Sequence, residues 1–166
     1  MTFGLWKDES EAKSVYDAIN KETSAKSFIQ ESLRIEGIHR PPTYAEIEEH
    51  HRFMELDQVK VEDLEQFVSV YEPNAKLRNK RGLDVRVGNY YAPIGGESIT
   101  TQLMLILCQA NNKSITPFIA HKMFEDLHPF LDCNGRAGRM LWMWMMRKAP
   151  YGFLRTWYYQ SLSEGR

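Results

Sequence analysis

Seven consecutive residues near the C-terminal end, Met140-Leu141-Trp142-Met143-Trp144-Met145-Met146, are apolar without interruption. A helix built from them has no polar face to give to water. It therefore belongs in the middle of a bundle, covered on all sides by other helices. The rest of the chain must supply those neighbours, and its apolar spacing does so. Ala12, Val15, Tyr16 and Ile19 recur at i, i+3, i+4 and i+7 and predict a helix over Asp8 to Asn20. A second is expected from Ser24 to Glu36, stopped by Gly37. Pro41-Pro42 forbid helix and force an extended link.

Beyond that link, Thr43 followed by Glu46 is a capping-box signature. It opens a helix expected to present Tyr44, Ile47, His51 and Met54 on one face. Leu64, Phe67, Val68 and Tyr71 mark the next helix, ended by Pro73. Val85, Val87 and Tyr91 around Gly88-Asn89 predict a short β-hairpin. Three more helices are expected: Glu97 to Ala110, Thr116 to about Leu127 with Pro117 at its first position, and Gly135 to Met146. The fold class is all-α, a helical bundle with one small hairpin. The expected organisation is N-terminal helices over residues 1–42 and a single globular unit over 43–166.

At 166 residues, with 43% apolar and 26% charged residues, the chain is in the range of ordinary globular proteins. Its formal net charge of −1 creates no global field toward nucleic acid or a membrane, so neither is expected as a partner. The two cysteines, Cys108 and Cys133, form no CxxC pair and no disulfide framework. No basic, then apolar, leader opens the sequence and no apolar run reaches spanning length. The expected compartment is a reducing cytoplasm. A signal for delivery into another cell would leave no mark of this kind.

Residues 128 to 139 read His-Pro-Phe-Leu-Asp-Cys-Asn-Gly-Arg-Ala-Gly-Arg. One buried helix ends at a histidine and a proline, a tight loop follows, and a second buried helix begins. The amides of Cys133, Asn134, Gly135 and Arg136 fall at that helix N-terminus, where four N–H groups lack intrahelical partners. With the helix dipole they make a phosphate site, which Gly135 lets the backbone approach closely. Arg136 and Arg139, three apart, add two guanidinium groups on one face and suggest a polyphosphate. Asp132 offers an oxygen to the Mg²⁺ that such a polyphosphate carries. His128 can act as a general base near neutral pH.

This run resembles the signature of the Fic family, His-x-Phe-x-Asp/Glu-Gly-Asn-Gly-Arg-x-x-Arg. The resemblance extends outward to the hairpin before Pro93, the helix after it, and His121 seven residues ahead of His128. It covers roughly Thr43 to the C-terminus. It implies a Fic-type bundle that transfers AMP from Mg-ATP to a Ser, Thr or Tyr hydroxyl of a target protein. His128 would take the hydroxyl proton, and Asp132 would hold Mg²⁺. The loop amides and Asn134 would stabilise charge on the α- and β-phosphates, and Arg136 and Arg139 would grip the β/γ end. Phe130 would anchor the loop in the core. Val87, Gly88, Asn89, Tyr90 and Tyr91 would form a flap on which the target docks, although the tyrosines could equally serve to pack the hairpin on the helices. Alternatives are a Doc-like transfer of the γ-phosphate and a nucleotide-binding module impaired in turnover. A homodimer is left open.

One position departs from the pattern. Cys133 stands where the family mostly has Gly. A side chain there is penalised if φ must be positive, and a thiol at a helix N-terminus can become reactive.

Ser32-Leu33-Arg34-Ile35-Glu36-Gly37 matches the family's inhibitory pattern, Ser/Thr-x-x-x-Glu-Gly/Asn. Ser32 and Glu36 share a helix face. The resemblance implies that Glu36 pairs with Arg139 and blocks seating of the γ-phosphate. Other features are expected to be bland. His39 and the adjacent His50-His51 do not suggest a zinc site. Lys76, Arg78, Lys80, Arg81 and Arg86 read as a solvated basic patch, or as a surface for an acidic target. Trp157, Tyr158 and Tyr159 would pack a final helix or line the base pocket.

Overall fold

The computed structural model describes residues 9–147, with side chains from Lys21 onward except that of Glu22. Trp157, Tyr158 and Tyr159 lie outside the described residues. Among those described there are six helices and one two-stranded antiparallel sheet. The helices are α1 (Glu9–Ile35), α2 (Tyr44–Met54), α3 (Val61–Tyr71), α4 (Glu97–Asn111), α5 (Pro117–Leu127) and α6 (Asn134–Met145). The strands are β1 (Arg86–Val87) and β2 (Tyr90–Tyr91). The chain is thus all-α with one small hairpin, and no described helix is long and apolar enough to cross a membrane.

Helix α6 is the axis of the bundle. It packs on α1, α2, α3 and α5, and its residues Met140 to Trp144 are buried. Its far end is tied down where the indole N–H of Trp144 donates to the Leu56 carbonyl at 2.8 Å. Phe28, Ile29 and Leu33 of α1 join the same core as Phe53, Leu64, Phe67, Leu103 and Phe124. The described end of α1, from Ala25 to Leu33, is therefore packed into the bundle.

Two expectations are corrected. The helices predicted over Asp8 to Asn20 and Ser24 to Glu36 are one continuous helix of 27 residues. Lys21, Glu22 and Thr23 include no glycine or proline to break it. The face of α2 is also rotated. Tyr44 is 76% exposed, while Glu46, Glu49, His50 and Phe53 are buried. Two acids occupy that inner face because both are paired. Glu46 accepts from Arg40 at 2.7 Å, and Glu49 pairs with Arg52, which also reaches Asp63 at 3.1 Å.

Local signals set the remaining boundaries as expected. Thr43 and Glu46 form the reciprocal capping box, and the Thr116 hydroxyl accepts from the Ile119 N–H ahead of Pro117. The hairpin pairs Arg86 with Tyr91 and Val87 with Tyr90 across the Gly88-Asn89 loop. Glycine first is the order that one class of two-residue hairpin loop prefers. Its first strand begins at Arg86, leaving Val85 just outside.

Candidate active site

The site is built on the turn between α5 and α6. His128 caps α5 in the left-handed region, with φ of 52°, and its N–H donates to the Phe124 carbonyl at 2.9 Å. This conformation ends the helix and turns the chain into Pro129. The half-buried imidazole is held below the usual histidine range, first by burial and further by the nearby Arg78 charge. Asp132 and a hydrogen bond to the backbone of Glu125 act in the opposite sense. The net direction keeps the ring neutral, the form that accepts a proton.

The loop is then locked from inside. Phe130 is fully buried. The Phe130 N–H donates to Asn134 Oδ1 at 2.8 Å, and Asn134 Nδ2 donates back to the Phe130 carbonyl at 2.7 Å. Asn134 is itself buried. Both ends of its side-chain amide thus bond to the loop backbone and hold the turn in shape. Asp132 is exposed, and its Oδ1 accepts from the Cys133 N–H at 2.6 Å.

Cys133 is the residue immediately before α6, with φ of 69°. A side chain in this region costs on the order of 1–2 kcal/mol. Burial also works against the reactivity that a helix N-terminus can confer on this thiol. Cys133 is buried, and burial pushes its thiol up to about 12, outweighing the pull of Arg136.

The two arginines serve different partners. The Arg136 Nη2 donates to Glu72 at 3.0 Å, and its guanidinium lies 5.6 Å from the Tyr71 ring centroid. Arg139 instead turns toward the end of α1. Its Nε donates to Ser32 Oγ at 2.9 Å, and its Nη2 to the Ser32 carbonyl at 3.0 Å and Glu36 Oε1 at 2.6 Å. Glu36 reaches this position from a defined helix end. The Ile38 N–H donates to the Leu33 carbonyl and the Gly37 N–H to that of Arg34, the paired bonds of a Schellman motif. Gly37 takes φ of 75°, which any residue with a Cβ would resist.

The Glu36 carboxylate also lies against the start of α6. A Cβ built on Gly135 would fall 2.5 Å from Glu36 Oε1. Only glycine admits the acid this close. The carboxylate thereby sits at the helix N-terminus, where an anion is favoured. Ser32, Glu36, Gly135 and Arg139, separated by about a hundred residues of chain, form one constellation.

The hairpin flanks the other side of the turn. Val87, Tyr90 and Tyr91 are exposed, and the Tyr90 hydroxyl donates to the Asp126 carbonyl at 2.6 Å. Tyr91 lies under the Arg86 guanidinium, 5.0 Å from ring centroid to carbon.

Arg78 is the residue that sequence reasoning misplaced. Lys76, Lys80, Arg81 and Arg86 are exposed, as a solvated patch requires, but Arg78 is fully buried. It donates to four carbonyls, those of Leu127, His128, Leu83 and Pro93. Nothing in the sequence separates it from its basic neighbours.

Among the described residues, no three or more His, Cys, Asp or Glu side chains converge as a metal site. The loop itself offers one exposed carboxylate, that of Asp132, as an oxygen that could reach a cation. No family model matches the chain, and no curated protein does.

Proposed function

We propose that the protein is an adenylyltransferase that moves AMP from Mg-ATP to a hydroxyl of another protein, held in check by the end of its own N-terminal helix. The observation that carries this reading is the carboxylate of Glu36, which lies against Gly135 and pairs with Arg139 at 2.6 Å. An anion site at a helix N-terminus, filled by an internal acid, is what a phosphate-binding turn with a built-in competitor requires.

In this reading His128 accepts the proton of the attacking hydroxyl. Its carbonyl is fixed by Arg78, so the turn that carries the base is held in place. The first amides of α6 stabilise charge on the phosphates as the α-phosphorus is attacked. Asn134 contributes by holding the loop in shape. Mg²⁺, held by Asp132, would neutralise the polyphosphate. Arg139 can grip the far phosphate only when Glu36 lets go. The exposed edge of the hairpin would receive the target by strand addition.

Intact-mass spectrometry tests the proposal. Protein carrying Glu36→Gly, incubated with Mg-ATP, should gain the mass of one AMP group. A gain of one phosphate would favour γ-phosphate transfer. No gain, with ATP bound, would favour a binding module impaired in turnover.

A further inference from the structure

A buried guanidinium with no carboxylate hydrogen-bonded to it calls for a reason. Arg78 spends its donors on four carbonyls drawn from two places. Nε donates to His128 at 2.7 Å and Nη2 to Leu127 at 2.9 Å. These are acceptors at the C-terminus of α5, where carbonyls lack helical partners and a cation is favoured. Nη1 donates to Leu83 at 3.1 Å and Pro93 at 2.8 Å. Those two residues stand on the two legs of the hairpin, one before β1 and one after β2.

The backbone of Arg78 makes the same connection. Its N–H donates to the Pro129 carbonyl, and its carbonyl accepts from the Gly96 N–H, both at 2.9 Å. The neighbouring Leu77 bridges antiparallel to Phe130, and the Leu131 N–H donates to the Lys76 carbonyl at 3.0 Å. One residue therefore joins the His128 turn to both legs of the hairpin.

We infer that Arg78 is a positioning residue, holding the exposed hairpin at a fixed distance and register from the His128 turn so that a hydroxyl docked on one is presented to the imidazole of the other. The role is geometric. A lysine keeps the charge but, as a single ammonium, cannot span four carbonyls on two sides. Losing the guanidinium removes the four side-chain bonds and leaves the backbone bonds of Arg78 and the Tyr90–Asp126 contact, so the hairpin legs are held less tightly to the turn while α6 and its N-terminal amides stay intact. Nucleotide binding and hydroxyl presentation should therefore come apart.

The assignment rests on the transfer chemistry proposed above, and its test keeps the two separate. Arg78→Lys is made in the Glu36→Gly protein, and three quantities are read. Self-transfer of AMP should fall by about tenfold or more, while the Kd for Mg-ATP stays within about threefold. Amide exchange should quicken at Gly96 and Leu131, with α6 amides unchanged. An unchanged transfer rate with unchanged exchange would overturn the inference. So would a loss of nucleotide affinity and of protection throughout the bundle, which marks a merely structural arginine. If the Glu36→Gly parent transfers nothing, the transfer reading fails, and the exchange data still judge the coupling.

Should Arg78→Lys not fold, native-state exchange in the unmodified protein decides. The amides of Arg78, Gly96 and Leu131 should open in one event, distinct from the opening of α6. Independent opening of Gly96 and Leu131 would refute the coupling.

Discussion

Glu36 Oε1 lies 2.6 Å from Arg139 Nη2, although 103 positions separate the two residues in the chain. The contact closes the end of α1 onto the start of α6, and Ser32 adds two further acceptors for the same guanidinium. Arg139 cannot serve this acid and a terminal phosphate together. In the proposed function the acid competes with nucleotide from within the same chain, so dilution would not remove it.

Removing the acid should therefore release activity. A charge-assisted hydrogen bond contributes about 1.5–3 kcal/mol, and each ~1.4 kcal/mol is a factor of ten. Glu36→Gly should raise AMP self-transfer roughly ten- to a hundredfold over the unmodified protein. Equal rates for two folded proteins would identify the contact as an ordinary ion pair.

Under the proposed transfer, His128→Ala should abolish activity and spare Mg-ATP affinity, because the imidazole would act on the hydroxyl and not on the phosphates. Loss of a general base costs about a hundred- to ten-thousandfold. Single-turnover rates in the Glu36→Gly protein provide the check. Transfer within a few-fold of the parent would remove His128 from the chemistry.

Asp132→Ala should weaken nucleotide binding only where Mg²⁺ is present. The variant also loses the Asp132 acceptor of the Cys133 N–H, so its metal-free affinity must be measured beside it. Calorimetry that finds the same Mg²⁺ dependence in both proteins would count against the carboxylate as a metal ligand.

Much of this architecture was legible because the signals are local. The uninterrupted apolar run of α6, the Thr43–Glu46 capping box and the Thr116-Pro117 start each act within one turn, and each produced the expected element. The loop from His128 to Arg139 is contiguous, so its residues were visible together. What escaped is set by partners distant in sequence or by burial. Glu46 and Glu49 could be placed on the inner face of α2 only once Arg40 and Arg52 were seen to pair with them. Arg78 looked like Lys76 and Lys80 because its four acceptors are carbonyls, which any sequence supplies. The inward turn of Asn134 could not be foreseen, since a side-chain amide that bonds to the backbone four residues back leaves no pattern.

The two cysteines should differ sharply toward a thiol reagent. Cys108 is exposed, whereas Cys133 is buried with its thiol pushed up to about 12. Ellman's reagent near pH 8 should titrate one thiol in the folded protein and the second only after denaturant is added. Rapid reaction of both in the native state would contradict the burial of Cys133.

Stability should carry a pH signature in which buried histidines oppose one buried acid. Burial lowers His50 and His121 from 6.5 to about 4. Between those values the unfolded chain takes up protons that the folded chain refuses, so both histidines cost stability as pH falls. Glu125 does the reverse. Burial raises it from 4.5 to about 7, against the pull of Arg139 and with help from Glu36 and Asp126. The folded chain protonates it first, so it contributes stability that is complete at low pH and lost as pH rises toward 7. Each group fully offset changes stability by about 1.4 kcal/mol per pH unit. Across the shared window the histidines, His128 included, outnumber the one acid, so this set of groups costs stability on acidification. Glu125→Gln removes the opposing group while copying its neutral form, so the surroundings of His121, 4.0 Å away, are preserved. The variant should lose stability more steeply between pH 6.5 and 4.5, and should be the more stable of the two above pH 7. Urea midpoints measured across this range for both proteins check the sign. A stability difference that does not change with pH would show that Glu125 is already ionised in the fold.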